Sequence, residues 1–193
     1  MSYQLLKENI RRNVNFSDMQ IDEICSFFNT KTVKKGEYLL TQGSICKFEG
    51  FVTKGCFRIF IIDTKGNENI LYFAAEDWWL IDTDSFMNQT PSDLYFQALE
   101  DSEVLIIQKA DKERLYDQLP LVEKLFRIMS QKALAAWQKR LIRNHCLTAK
   151  ERYQYFLNTY PNIASRITDR QIAGYLGITH EFLSKIKSKS LKN

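Results

Sequence analysis

The chain has 193 residues, room for one large or two modest domains. Hydrophobic residues make up 45% and charged residues 26%, and a 13% aromatic content excludes a disordered chain. Three prolines and seven glycines exclude a collagen-like or low-complexity one. No run approaches the roughly 18 consecutive apolar residues of a membrane-spanning helix. The start, Met1 to Glu8, lacks the basic and apolar regions of a signal peptide, so a cytoplasmic location is expected.

The net charge of +4 is unevenly distributed. From Lys139 to Asn193 there are eleven lysines and arginines against three acids, so this segment carries +8 and the preceding 138 residues carry −4. A basic C-terminal quarter on an acidic body is the footprint of a nucleic-acid module, although a basic run is more often a solvated face. Between Gly66 and Gln108 the opposite holds: nine acids and no Lys, Arg or His. A phosphate held by a side-chain cation is not expected there. Cys25, Cys46, Cys56 and Cys146 form no CxxC or Cys/His cluster, so they read as reduced, buried thiols, with no metal and no cofactor.

Leu5, Leu6 and Ile10, then Met19, Ile21, Ile24, Phe27 and Phe28, predict helices near the start, the second capped around Ser17. From 31 to 108 the character changes. The runs Tyr38–Thr41, Phe48–Thr53, Cys56–Ile62, Asn69–Ala74, Leu94–Leu99 and Val104–Ile107 are punctuated by Gly36, Gly43, Gly50, Gly55 and Gly66. Short strands at such regular spacing predict an antiparallel barrel or sandwich.

After Ala110 helical periodicity takes over. Leu121, Leu125, Ile128 and Ala135 form one stripe, and Val122, Phe126, Met129, Ala133 and Ala136 another. Two adjoining stripes are too wide for a helix covering one surface. One is expected to pack on the strands, the other on a second copy of the chain. Leu121, Leu125, Phe126, Ile128, Met129, Ala133 and Ala136 are the expected dimer contacts.

Two S/T-x-x-E/Q capping boxes follow, at Thr148–Glu151 and Thr168–Gln171. Pro161 ends the helix between them. The second box opens a helix-turn-helix. Ala173 is small where two crossing helices come closest, and Gly177 sits where the first must end in a left-handed residue. Ile172, Leu176, Ile178, Leu183 and Ile186 are apolar at the spacing that seals the pair, and Thr179 caps the second helix. An ordinary helical hairpin with a glycine turn explains the same segment less completely. Thr168, Arg170 and Gln171 at the first helix, and Thr179, His180, Glu181, Ser184 and Lys185 at the second, are the expected DNA-binding residues, with Lys187 and Lys189 on phosphates.

The layout resembles the Crp/Fnr superfamily of bacterial transcription regulators. Its carriers are Val33-Lys34-Lys35-Gly36-Glu37-Tyr38-Leu39-Leu40-Thr41-Gln42-Gly43, Val52-Thr53-Lys54-Gly55, Asp63-Thr64-Lys65-Gly66 and the helix-turn-helix. The resemblance implies an α+β fold: an N-terminal antiparallel β-roll of cyclic-nucleotide-binding type within 1–110, a long dimerisation helix within 111–146 and a helix-turn-helix DNA-binding domain within 147–193. It also implies double-stranded DNA carrying an inverted repeat, a homodimer, RNA polymerase and a small effector as partners. Glu181 and Lys185 match the family's base-reading glutamate and its following basic residue, whereas His180 replaces the usual arginine. Family members that bind cyclic nucleotides carry a Gly-Glu pair and an arginine in a phosphate cassette. The stretches Ala75–Asp82 and Pro91–Leu99 contain neither a glycine nor an arginine. Cyclic nucleotide binding is therefore not expected.

Trp78, Trp79, Asp82, Phe86, Tyr95 and Phe96 remain as a candidate effector pocket, although aromatic clusters are more often core. The two histidines, His145 and His180, lie outside the roll, which disfavours haem. An effector-binding or adaptor module without specific DNA binding is the alternative. No P-loop, Rossmann or nucleophile motif supports an enzyme.

Overall fold

The computed structural model describes residues 2–190; Met1 and residues 191–193, including Lys192 of the basic tail, lie outside the described residues. Two helices open the chain, α1 (Ser2–Asn13) and α2 (Asp18–Ser26). α2 starts at a reciprocal cap: Ser17 Oγ accepts from the Gln20 amide, and the Gln20 side chain accepts from the Ser17 amide.

The strands are β1 (Asn29–Val33), β2 (Tyr38–Leu40), β3 (Phe48–Lys54), β4 (Phe57–Ile62), β5 (Glu68–Ala74), β6 (Trp79–Leu80), β7 (Tyr95–Ala98) and β8 (Ser102–Gln108), with the short helix α3 (Thr83–Asn88) between β6 and β7. They form two four-stranded antiparallel sheets, ordered β1-β8-β3-β6 and β2-β7-β4-β5. Gly55 joins β3 to β4 at φ 99°, and a side chain there would run into Ser102. Only glycine fits that turn.

Three cores follow from the alternation of side chains along the strands. Val52, Phe57, Ile59, Leu80, Phe96 and Val104 fill the space between the sheets. On the outer face of the first sheet, Phe51, Leu105 and Ile107 meet Leu6, Ile10, Ile21 and Ile24 of the first two helices. On the outer face of the second, Phe60, Ile70 and Phe73 meet Phe156, Ile172, Leu176 and Leu183 from the C-terminal helices.

Residues 111–146 do not form the one long helix expected. Leu119 and Pro120 divide them into α4 (Lys109–Gln118) and α5 (Leu121–Cys146), because proline has no amide to continue a helix. Four helices complete the chain: α6 (Ala149–Thr159), α7 (Pro161–Ala164), α8 (Asp169–Leu176) and α9 (His180–Ser190). Thr148 and Thr168 cap α6 and α8 with the reciprocal bonds their sequences predict.

The helix-turn-helix is docked on the roll. α8 lies so close to β5 that a Cβ on Gly174 would sit 3.4 Å from the Glu68 carbonyl oxygen. Arg140 of α5 clamps the contact, donating to the carbonyls of Ile70 and Leu71 on β5 and of Tyr175 on α8. Cys25, Cys46 and Cys56 are buried as expected, but Cys146, at the end of α5, is exposed. Burial pushes the Cys25 thiol up to about 11 and Cys56 to about 12, which keeps both protonated at neutral pH.

Candidate nucleic-acid interface and effector cavity

α8 and α9 are joined through Gly177, left-handed at φ 66°, whose amide bonds back to the Ala173 carbonyl. Thr179 Oγ1 then accepts from the Phe182 amide and starts α9. Leu183 and Ile186 are buried against α8 and the roll, so the opposite face of α9 is left to solvent. His180, Glu181, Ser184, Lys185 and Lys189 are all exposed there. The Glu181 carboxyl is held below the usual carboxylate range by its own backbone amide and the Thr179 hydroxyl. It is therefore ionised at neutral pH, an acceptor only, in the first turn of an exposed helix.

The other expected DNA-binding residues divide. Arg170 is exposed on α8. Thr168 and Gln171 hold each other in the cap of α8, with Gln171 Oε1 accepting from the Thr168 amide at 2.8 Å. Lys187 is drawn back to Asp169 at 2.7 Å, and each side chain of the pair is 40% exposed. The basic segment shows the same division. Arg140 and Arg152 donate to backbone carbonyls, Arg143 lies 4.1 Å over the Tyr155 ring, and Arg166 pairs with Glu76 and Glu100. Among the described residues, Lys139, Lys150, Arg170, Lys185 and Lys189 make no ion pair. Phe182, which sequence reasoning passed over, is 48% exposed on α9.

The expected dimer face is also redistributed. Leu125 and Phe126 are buried in their own chain, and Ile128 and Met129 pack beside them. Ala133 and Ala136 line a groove facing the roll. Leu121 and Trp137 keep partial exposure, while the most exposed large apolar residues of α5 are Leu134, Leu141 and Ile142, between 58% and 61% exposed. Hydrophobic periodicity could not separate these stripes, since both have the same spacing.

That groove is a cavity of about 860 Å³ between the roll, α5 and the C-terminal helices. Of the residues named for an effector pocket, Trp78, Trp79, Asp82 and Phe86 line it, and Tyr95 and Phe96 do not. Phe96 is fully buried between the sheets, and Tyr95 stacks on Phe60 at 5.1 Å. Tyr72 and Trp137, edge to face at 5.7 Å, complete the aromatic wall. At its roll side, Asp82 caps α3, accepting from the Ser85 amide at 3.3 Å and from Ser92 Oγ at 2.5 Å. The Ser92–Asp82 bond joins the two stretches compared with the phosphate cassette, and it involves no cation.

Cations do reach the cavity, from helices distant in sequence: Lys112, Lys132, Arg140 and Arg143. The absence of positive charge between Gly66 and Gln108 gave no sign of them. All four are engaged. Arg140 and Arg143 are held as described, Lys132 donates to Asn13 Oδ1 at 2.6 Å, and Lys112 pairs with Glu49 at 2.8 Å. The Lys112–Glu49 pair is almost wholly buried, with Lys112 Nζ 3.9 Å from the Phe126 ring centre. Burial pushes the Glu49 carboxyl above its ordinary range even beside this lysine.

The cyclic nucleotide-binding domain family matches residues 30–118, the roll and α4. The transcriptional activator protein Anr of Pseudomonas protegens is 28% identical over 94% of this chain and 78% of its own. Among solved structures, the c-di-GMP responsive regulator CLP of Xanthomonas campestris is similar with a TM-score of 0.72 at 14% identity, covering 90% of this chain and 91% of that one. FixK2 of Bradyrhizobium japonicum gives 0.70 at 20% identity, covering 84% and 83%. Fold and matches together define a cyclic-nucleotide-binding-type roll followed by a helix-turn-helix. The chain has the architecture of the Crp/Fnr superfamily of transcription regulators, and the resemblance carried by its sequence holds. Its relatives are regulators rather than enzymes.

Proposed function

We propose that this protein is a homodimeric, sequence-specific DNA-binding transcription regulator, with a sensor roll in 1–110, a dimerisation segment in 111–146 and the DNA-binding part in 147–193. The observation that carries this reading is α9. It is capped by Thr179, anchored by Leu183 and Ile186, and leaves an ionised Glu181 beside Lys185 on a solvent face. A dimer would present two such helices to successive major grooves, about 34 Å apart, and so select an inverted repeat. Glu181 would accept from cytosine N4, Lys185 would reach guanine or a phosphate, and Lys189 would contact a phosphate.

The second copy would meet α5 along Leu134, Leu141 and Ile142, whose exposure supports an unfilled apolar seam. The roll would not take cyclic nucleotides. The Ser92–Asp82 bond in the cassette region, and the burial of Lys112 in its pair with Glu49, support that reading. RNA polymerase is the downstream partner of such a regulator. Selection of bound sequences from a random duplex pool tests the proposal: an inverted repeat should emerge, and failure to enrich any motif would favour an adaptor role instead.

A further inference from the structure

A second cleft adjoins the aromatic groove, where α1, β6 and α5 meet. Asn9, Arg12 and Asn13 line it from α1, Trp79 from β6, and Met129 and Lys132 from α5. Two of these residues carry buried polar atoms of opposite character that find no partner among the described residues: Asn9 Oδ1, an acceptor, and Trp79 Nε1, a donor. Asn9 is only 8% exposed. Its amide cannot turn over to relieve the problem, because Nδ2 donates to Asp77 Oδ1 at 2.8 Å and a reversed amide would set oxygen against carboxylate. Buried groups of this kind are rare without a partner.

The charge of the cleft narrows what would satisfy them. Arg12 is neutralised by Asp77. Lys132 donates to the neutral Asn13 side chain and pairs with no carboxylate among the described residues. One positive charge is thus left unbalanced at the wall. The cleft also shares Trp79, Met129 and Lys132 with the aromatic groove, so whatever fills it can extend along apolar surface.

We propose that this cleft binds a hydroxylated organic acid. Its carboxylate accepts from Trp79 Nε1 and Lys132, its hydroxyl donates to Asn9 Oδ1, and its apolar chain runs past Met129 into the groove. Such a ligand ties the N-terminal helix to α5. The proposal does not depend on DNA binding, since its test uses none.

The test follows the indole N–H signal of Trp79 in the ¹⁵N-labelled full chain, assigned as the one retained in both Trp78→Phe and Trp137→Phe. The probes are 3-hydroxyoctanoate, octanoate and 3-hydroxybutyrate. 3-Hydroxyoctanoate should move the signal saturably. Octanoate lacks the hydroxyl and 3-hydroxybutyrate lacks the tail, so each should bind about tenfold more weakly or worse. Lys132→Met should weaken 3-hydroxyoctanoate by a similar factor, with Lys139→Met leaving it unchanged. The proposal is overturned if no probe moves the signal, if octanoate matches 3-hydroxyoctanoate, or if Lys132→Met has no effect.

Discussion

Arg166, just ahead of α8, donates Nη1 to Glu76 Oε2 at 2.7 Å and Nη2 to Glu76 Oε1 at 3.0 Å, joining residues ninety positions apart. The same guanidinium reaches Glu100, and Glu76 is fixed on the roll by the Gly55 amide at 2.8 Å. A two-pronged bond of this kind sets direction as well as distance. It therefore helps to determine how the roll presents α9.

Replacing Arg166 by Gln should loosen that docking, at a cost of about 1–3 kcal/mol for the unpaired carboxylates. Hydrogen exchange should show faster opening of β5 and α8, with the interior of the roll unchanged. Burial raises the Glu76 carboxyl, but the Arg166 bonds, its own and the Gly55 backbone amides and the arginine's charge outweigh it and hold the group below its ordinary range. Its contribution is thus full above the unfolded value and is lost as the pH falls through the lower folded one. Acidification should mimic the mutation in the native protein and add little in Arg166→Gln.

Lys112→Met tests the buried pair. Removing the lysine leaves Glu49 charged and buried, which should cost about 3–5 kcal/mol in denaturant unfolding at neutral pH. Burial already raises the Glu49 carboxyl, so the folded variant should take up a proton on modest acidification. The deficit relative to wild type should then shrink as pH falls. A deficit independent of pH would mean that lost packing over Phe126, not charge, sets the cost.

Leu141→Asp places a charge on the exposed seam of α5 and should convert a dimer to a monomer in sedimentation equilibrium, with helix content unchanged. Phe126→Asp should instead unfold the chain, because Phe126 is 6% exposed within its own core. If Leu141→Asp sediments as wild type does, the seam lies elsewhere.

The strands at 38–62, 69–74 and 94–107 and the helix-turn-helix were legible because both rest on short-range chemistry. Gly55 and Gly177 stop one element and start the next through φ values that other residues resist. β1 was missed because four of its five residues are exposed, leaving no alternation to read. β6, with two residues, is too short for any pattern. The cavity was half legible. Trp78 and Trp79 were visible as aromatics, but Lys112, Lys132 and Arg140 enter from helices whose placement only tertiary packing decides. The same limit hid that Arg166 and Lys187, counted in the positive charge of the C-terminal segment, are held in ion pairs.

That difference among cations gives a further prediction. Lys189→Ala should weaken binding to all duplexes and lower the salt slope by about one unit per subunit. Lys187→Ala should change the slope less, because its ammonium is already paired with Asp169, and should instead reduce stability by no more than about 1 kcal/mol. Equal slopes for the two variants would show that the Asp169 pair opens on DNA.

The most direct measurement is fluorescence anisotropy of wild type and Glu181→Ala on the selected inverted repeat and on duplexes with each base pair changed in turn. Wild type should lose roughly 1–3 kcal/mol at one cytosine–guanine pair in each half-site, and Glu181→Ala should lose that discrimination alone. If Glu181→Ala keeps the same base preference, or binds every duplex more tightly without changing it, α9 does not read DNA through this residue and the central claim is wrong.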